Sequence, residues 1–516
     1  MLLPVVARNF YDVIVIGTQL GPLLTAALLA RRGFRVLLIA HDDLPWTYSL
    51  DEYRFQQEPF MFSGADSPAV RRVLSELSLT QDFRRRTAPH DPYFQVVLPR
   101  HRIDFTGNAV AFGRELEREF HDVRRPIEAF YTVAERCNQE LDKLVGTEKL
   151  TLPPETFFER RELASAAVHN PFSRARGPVT LFGDMPPAHP FRLAVMGQVR
   201  WASDLDLAEP SSLQVVRLHA SWTRGTLAID GGLEGLKGLV LDRIARHSGD
   251  VRHDLSADRI LTRRGRVAGV RMTGQEEITG CTFVVLGADA HHIPRLIDEK
   301  DLGRAFVARL AQVRPTAVRY TLNLVVESRV MPEGMARNLI YISDPAAPLM
   351  EENLLRIEAS GVPSGDLRTL CIGALLPVGK AQDRSYLEGM RGRILARVRW
   401  LVPFLDQHLV AVDSPYDGLP VQDRRRGREV ALGDKWIRSP SRMPTIFRVD
   451  PPGPLDVTGL HHRTGLKNLV LACRQVVPGL GIEGEFLTAL GAARIITKSD
   501  RRKRRFGREA WTKIDL

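Results

Sequence analysis

Two short apolar runs near the N-terminus flank a segment rich in leucine and alanine. Residues 11–16 form the first run, which is rich in β-branched residues and ends at Gly17, and residues 35–39 form the second. Runs of this length and composition are typical of buried parallel strands. Residues 20–32 favour a helix, which Gly33 would end. The pattern predicts a β-α-β unit at the start of the chain.

A second group of elements opens on the glycine pair Gly231 and Gly232, in the middle of the chain. The amphipathic residues 236–247 that follow predict a helix. Turn residues then separate four β-rich segments, which predict successive strands at 251–253, 256–261, 266–272 and 281–287.

A third group lies near the C-terminus. Residues 467–472 predict a buried strand, residues 478–484 a glycine-rich turn, and residues 485–498 a helix. A helix that begins after such a turn presents free N–H groups and the positive end of its dipole, which suits an anion or an electron-rich ring edge.

The intervening segments alternate between strand-like and helix-like patterns. Further strands are predicted at 316–326, 338–342, 354–357 and 367–376, and long helices at 124–145 and 386–401.

The turn after the first strand partly matches a dinucleotide-binding fingerprint. In that fingerprint the first glycine makes the turn, the second admits the pyrophosphate, and the third lets the helix pack on the strand. Gly17 holds the first position, Gln19 the second, and Pro22 the third, with Gly21 beside it. Gln19 would place a side chain where the phosphates normally lie, and Pro22 removes one N–H donor.

The second strand normally ends in an acidic residue that binds the ribose hydroxyls. Ala40 stands there, followed by His41, Asp42 and Asp43, of which an aspartate could take the role only if the strand end shifts. Two interpretations stay open: a unit that binds a dinucleotide, and a Rossmann-like unit that no longer does.

Composition narrows the class of protein. The 516 residues are 44% hydrophobic and 26% charged, which are globular values. Four scattered cysteines without a C-x-x-C spacing argue against a disulfide framework and favour a reducing compartment.

Neither His291–His292 nor His461–His462 has the spacing of a metal site, so no metal is expected. The uncharged residues 13–30 are broken by glycine and proline, so we expect a cytoplasmic chain rather than a membrane anchor.

The net charge is +11, and part of it is concentrated in a basic tail, residues 499–516. Residues 498–508 contain seven basic residues and one acid. Such a segment suits an anionic membrane surface, although RNA or an acidic partner would also satisfy it and a solubilising tail is the simplest alternative. We expect peripheral membrane association and no nucleic acid.

The three groups of elements, in this order, resemble the phytoene desaturase and amine-oxidase-like group of FAD-dependent oxidoreductases. The sequences GRVAGVRM at 265–272 and FVVLGADAHH at 283–292 are similar to the middle block of that family. The sequence NLVLACRQVVPGLGIEG at 468–484 is similar to its C-terminal block, which lies along the isoalloxazine ring. The resemblance implies cofactor contacts at eleven positions: Gly17, Gln19, Leu20, Gly21, Gly231, Gly232, Ala257, Gly479, Gly481, Ile482 and Gly484.

The resemblance implies an α/β fold with a discontinuous FAD- or NAD(P)-binding Rossmann-like domain, built from 8–90, 225–300 and 455–498. An α+β substrate-facing domain would comprise 91–224 and 301–454. It implies an FAD-dependent oxidoreductase that removes a hydride from a lipophilic, isoprenoid or polyene-like substrate. Because Gln19, Pro22 and Ala40 depart from the family pattern, weak FAD binding is expected. The alternative is a non-catalytic family member that serves as a scaffold or partner subunit.

Overall fold

The computed structural model describes residues 10–41, 45–50, 53–169, 181–183, 185–186, 188–206, 210–359, 365–430 and 439–500. Its strands are, in chain order, β1 (Phe10–Ile16), β2 (Val36–Ile39), β3 (Thr47–Leu50), β4 (Tyr53–Gln56), β5 (Thr87–Pro89), β6 (Phe94–Leu98), β7 (His101–Phe105), β8 (Leu227–Ile229), β9 (Asp250–Arg252), β10 (Ala257–Arg263), β11 (Arg266–Met272), β12 (Ile278–Leu286), β13 (Val313–Glu327), β14 (Asn338–Ile342), β15 (Leu354–Ala359), β16 (Leu367–Pro377), β17 (Leu409–Asp413), β18 (Val421–Asp423), β19 (Arg428–Val430), β20 (Thr445–Val449) and β21 (Leu469–Leu471).

Its α-helices are, in chain order, α1 (Leu20–Arg31), α2 (Pro68–Glu76), α3 (Thr80–Arg85), α4 (Ala109–Glu119), α5 (Arg124–Val145), α6 (Phe157–Ala166), α7 (Pro190–Ala202), α8 (Ser212–Gln214), α9 (Gly232–Arg246), α10 (Ile293–Leu296), α11 (Arg304–Gln312), α12 (Arg384–Leu401), α13 (Leu405–His408) and α14 (Gly481–Ser499). Of the helices in the described ranges, none is both long enough and apolar enough to cross a membrane.

The N-terminal β-α-β unit lies at the centre of a seven-stranded sheet. The strand order is β10-β11-β12-β1-β2-β9, with β21 beside β12. β1 runs parallel to both of its neighbours, β12 and β2, and residues 13–16 of β1 are fully buried. Helix α1 is buried along almost its whole length because it packs against both α9 and α14. The predicted β-α-β unit and the mixed α/β class are confirmed.

A second, ten-stranded sheet has the order β19-β18-β17-β13-β16-β15-β14-β6-β7, with β20 beside β13. Its long central strand β13 pairs with β16 over eleven residue pairs. The β3–β4 hairpin precedes this sheet in the chain but packs on it, since Tyr48 Oη donates to Asp413 Oδ2 at 2.6 Å and Asn323 Nδ2 donates to the Gln56 carbonyl at 2.7 Å.

The two sheets draw their strands from different parts of the chain. Strands of the seven-stranded sheet lie within 8–90, 225–300 and 455–498, and strands of the ten-stranded sheet lie within 91–224 and 301–454. The boundaries of two separate domains stay a prediction. The basic tail from residue 501 onwards lies outside the described residues, so its role also stays a prediction.

Two predicted helix starts are wrong. Helix α9 begins at Gly232, four residues before the predicted start at residue 236. Helix α14 begins at Gly481, not at residue 485, and only a short 3₁₀ turn, Pro478–Leu480, precedes it. Gly484 is therefore helical. A Cβ at Gly484 would collide with the Val477 carbonyl oxygen, so this glycine serves close packing instead of a turn.

Candidate functional site

A cavity of about 420 Å³ lies where the seven-stranded sheet meets the ten-stranded sheet. Its wall includes the first turns of α1 and α14, part of α9, residues 57–61, and side chains from β13 to β15. The cavity therefore opens beside the carboxyl end of β1, which is where α/β proteins commonly bind ligands.

The turn between β1 and α1 has the predicted tight geometry. Gly17 takes φ +103°, and its N–H donates to the Ile39 carbonyl at 2.9 Å. Gln19 is the N-cap of α1 but makes no side-chain capping hydrogen bond. Gln19 and Leu20 both line the cavity, whereas Gly17 and Gly21 do not.

The first turn of α1 is occupied by a carboxylate from the other end of the chain. The Gly21 N–H donates to Glu485 Oε2 at 2.6 Å. A Cβ at Gly21 would lie 2.6 Å from that oxygen and 2.9 Å from the Ala472 carbonyl oxygen, so only glycine allows this approach. Burial raises the pKa of Glu485 to about 7, although nearby Arg474 acts in the opposite direction.

Pro22 is accommodated by a second glycine. A Cβ at Gly287 would collide with the Pro22 ring, so the ring packs on the backbone at the end of β12. Since proline has no N–H, the start of α1 offers fewer donors to an anion than a standard fingerprint does.

The end of β2 carries no acidic side chain at position 40, where Ala40 is buried. His41 follows with φ +58°, and its Nδ1 accepts a hydrogen bond from the Ala257 N–H at 3.2 Å. His41 contributes to the cavity wall, whereas Ala257 does not. Asp42 and Asp43 lie outside the described residues.

The glycine pair at the start of α9 consists of the N-cap Gly231 and the first helical residue Gly232, and neither glycine lines the cavity. Gly231 and Gly232 have φ values of +75° and +60°. Helix α9 instead contributes Leu233 and Lys237 to the wall. Within the described ranges, Lys237 makes no ion pair or hydrogen bond, so its charge is available to an anion. Sequence reasoning missed Lys237, which has no signal beyond its place on an amphipathic helix.

The glycines before and within α14 divide into two roles. Gly481 and Ile482 line the cavity, and their predicted contact with a cofactor stays a prediction. Gly479 and Gly484 do not, because each lies against backbone: a Cβ at Gly479 would lie 2.6 Å from Val457 Cα. Helix α14 presents Gly481 and Ile482 to the cavity at its N-terminus, together with the acids Glu483 and Glu485.

Glu483 forms a buried ion pair that sequence reasoning did not find. Arg217 Nε donates to Glu483 Oε2 at 2.9 Å, and Arg217 Nη1 donates to Asp142 Oδ1 at 3.0 Å. Burial alone would raise the pKa of Glu483, but Arg217 lowers it below its ordinary value. Glu483 is thus a charged, fully engaged part of the wall.

A second ion-pair cluster surrounds Asp204. Arg474 Nη2 donates to Asp204 Oδ1 at 2.6 Å, and Arg319 donates to the same carboxylate. Arg319 Nε also lies 3.3 Å from Glu58 Oε1. Burial alone would raise the pKa of Asp204, but Arg474 and Arg319 lower it. The two arginines and the two carboxylates balance one another's charge, although Arg319 Nε makes no hydrogen bond.

The wall also contains a group of apolar side chains. It includes aromatic and aliphatic side chains on the side of the ten-stranded sheet: Pro59, Phe60, Met61, Trp201, Ile340 and Phe447. An apolar wall beside a charged one suits a ligand with chemically different ends.

Comparisons with known proteins agree with this architecture. Residues 15–77 match the family described as an NAD(P)-binding Rossmann-like domain. The sequence is 26% identical over 347 residues to a zeta-carotene-forming phytoene desaturase of Myxococcus xanthus, a match that covers 64% of this chain and 63% of that protein. The matched part of the chain thus spans less than two thirds of that relative.

Two solved structures show the fold. An oxidoreductase from Methanosarcina mazei superposes with a TM-score of 0.58 at 16% identity, covering 94% of this chain and 99% of the other. Cyclohexylamine oxidase from Brevibacterium oxydans superposes with a TM-score of 0.54 at 13% identity, covering 95% and 99%. The chain therefore contains an NAD(P)-binding Rossmann-like domain, is a homologue of a phytoene desaturase, and shares its fold with an amine oxidase.

Proposed function

We propose that the chain is an FAD-dependent oxidoreductase that oxidises a lipophilic, isoprenoid or polyene-like substrate. The observation that carries the proposal is a single cavity that joins the β1–α1 turn, the N-terminus of α14 and an apolar wall. Its volume of about 420 Å³ is within the usual range for ligand sites. The similarity to a phytoene desaturase supports the substrate class.

The residues present fit a flavin dinucleotide in most of the cavity. Gln19 and Leu20 would lie beside its phosphates, Lys237 would offset their charge, and Gly481 and Ile482 would face the ring system. A bound flavin would supply the hydride acceptor. The chain itself would orient the substrate on the apolar wall and exclude water from it.

Glu485 is the exception to this fit. Its carboxylate already accepts from the Gly21 N–H, a donor that a pyrophosphate would use. A negatively charged carboxylate beside a phosphate is unfavourable, so Glu485 must be protonated or displaced when the dinucleotide binds. Weak FAD binding follows from this competition.

The same contact favours a second candidate function, a non-catalytic partner or scaffold subunit. A helix N-terminus satisfied from within the chain needs no cofactor for its folding. With Ala40 at the end of β2, the described part of the fingerprint contains neither a free Gly21 donor nor an acid for the ribose.

The two functions are separated by an anaerobic reduction experiment. The full-length chain, loaded with FAD, is mixed in liposomes with phytoene and, separately, with an isoprenoid carboxylic acid, while flavin absorbance is followed. Loss of the oxidised flavin band at about 450 nm supports the oxidoreductase. A chain that takes up no flavin at about 1 mM FAD would favour the partner subunit.

A further inference from the structure

Arg356 is a buried cation in the cavity wall. It lies on β15, is 2% exposed, and lines the cavity from the side of the ten-stranded sheet. Its hydrogen bonds go to neutral oxygens: the Asn338 Oδ1 at 2.8 Å, the Ile357 carbonyl at 3.4 Å and the Leu339 carbonyl at 3.5 Å. Two of the three contacts are long.

Other buried or half-buried arginines of the cavity wall have carboxylate partners. Arg217 pairs with Glu483, and both Arg319 and Arg474 pair with Asp204. Within the described residues, no carboxylate lies within ion-pair distance of Arg356. Arg356 is therefore a buried positive charge of the wall that has no ion-pair partner among the described residues.

The nearest acid along the strand, Glu358, is already engaged. Its Oε2 accepts from the Phe60 N–H at 2.7 Å, and its Oε1 lies 3.5 Å from the Arg337 guanidinium. Arg337 is therefore the ion-pair partner of Glu358, and this carboxylate acts on Arg356 only from a longer distance. Burial lowers the pKa of Arg356 to about 10, so the side chain still carries its charge at neutral pH.

The residues directly opposite Arg356 on the two adjacent strands carry no polar side chain. Ile340 and Gly373 flank it on the neighbouring strands β14 and β16. A Cβ at Gly373 would collide with Trp201 and would lie 3.1 Å from Pro59 Cγ, so these two side chains cover the sheet there. A charge in such a place is costly unless a partner compensates it.

We propose that Arg356 binds the carboxylate of an amphipathic substrate whose apolar body lies on the wall formed by Pro59, Phe60, Trp201 and Ile340. A carboxylate balances the charge of one guanidinium group. It also accepts two parallel hydrogen bonds from the N–H groups of the planar guanidinium. The binding of a carboxylate by Arg356 does not depend on the proposed function. The inference rests on that function only where it identifies the bound molecule as the substrate. It narrows the substrate from any lipophilic molecule to one with an anionic end.

The test measures binding without chemistry. Decanoate and decanol are titrated calorimetrically into the full-length chain and into Arg356→Met, Arg356→Lys and Arg329→Met. Arg329 is an exposed arginine outside the cavity wall, so its variant is the control for the lost charge. FAD is titrated into the same four proteins.

We expect the wild type and Arg329→Met to bind decanoate at least about tenfold more tightly than decanol. A hydrogen bond to a charged group changes an affinity by about that factor. Arg356→Met should lose the preference and keep its FAD affinity, and Arg356→Lys should retain part of the preference. Because the methionine removes an unpaired buried charge, Arg356→Met should melt at or above the wild-type temperature.

Three results would overturn the inference. Equal binding of decanoate and decanol by the wild type is one. A fall in melting temperature of Arg356→Met is another, because it would make Arg356 a structural tie between β14 and β15. A parallel loss of FAD and decanoate would assign Arg356 to the cofactor. Failure of FAD to bind any of the four proteins would count against the proposed function alone.

Discussion

Glu485 and Gly21 are 464 residues apart in the chain, and the carboxylate of one accepts the N–H of the other at 2.6 Å. The contact joins the N-terminal parts of α14 and α1, and both of these helix starts line the cavity. A positive helix end attracts a carboxylate for the same reason that it attracts a phosphate. The chain therefore supplies its own anion at the position where a dinucleotide would place one.

Replacing this carboxylate should strengthen flavin binding. Glu485→Gln keeps the size of the side chain and an acceptor for the Gly21 N–H, but removes the negative charge. We expect FAD to bind about tenfold or more tightly, since about 1.4 kcal/mol of repulsion corresponds to that factor. Flavin fluorescence titration measures the dissociation constant.

The matched control is Glu388→Gln, which removes an exposed carboxylate from α12, outside the cavity wall. It should leave the dissociation constant unchanged. Equal affinities of wild type and Glu485→Gln would mean that Glu485 does not compete with the cofactor.

The pH dependence of flavin binding follows from the same group. Burial raises the pKa of Glu485 to about 7, and the pyrophosphate favours the protonated, neutral carboxyl. The affinity for FAD should therefore fall as the pH rises through about 7, by up to about tenfold per pH unit above it. Titrations at about pH 6, 7 and 8 measure the trend, and Glu485→Gln should abolish it. An affinity that rises with pH in the wild type would contradict the assignment.

The close approach at Gly21 gives a prediction about stability. Gly21→Ala would place a Cβ 2.6 Å from Glu485 Oε2 and 2.9 Å from the Ala472 carbonyl, so we expect a loss of about 1–3 kcal/mol in the free energy of unfolding. Gly238→Ala in α9 meets no atom within 4 Å and should gain up to about 1 kcal/mol from helix propensity. Urea unfolding compares the two. Equal stability of both variants would show that the Gly21 contact is loose.

Local patterns predicted much of the fold because apolar periodicity reports burial directly. The helix at 124–145 and the strand at 266–272 have the predicted bounds. The start of α14 was misplaced because glycine marks both turns and close packing, and Gly484 belongs to the second class. Sequence alone does not separate the two.

The site was less predictable because its decisive contacts join distant segments. The Glu485–Gly21 contact leaves no local pattern. Arg356 did leave a signal, since it stands in the otherwise apolar run LLRI at 354–357. A charge inside a buried strand needs a partner, and that need could have marked it as a candidate site residue.

The basic tail gives a prediction about membranes. Seven basic residues within 498–508 should bind anionic lipid at about 1 kcal/mol each near the surface, an attraction that salt screens. Co-sedimentation with anionic and neutral liposomes compares the full chain with residues 1–497. We expect salt-sensitive binding of the full chain to anionic liposomes only. Equal binding of the shortened chain would exclude the tail as the anchor.

The most direct test of the account is the affinity of the wild-type chain for FAD at neutral pH. An absorbance scan of the native protein and a titration with FAD give the stoichiometry and the dissociation constant. A cofactor cavity whose phosphate end is held by Glu485 predicts one FAD per chain with a dissociation constant of about 1 μM or weaker. A dissociation constant of about 1 nM, with FAD that stays bound through purification, would contradict the competition by Glu485. No binding at saturating FAD would contradict the cofactor site itself.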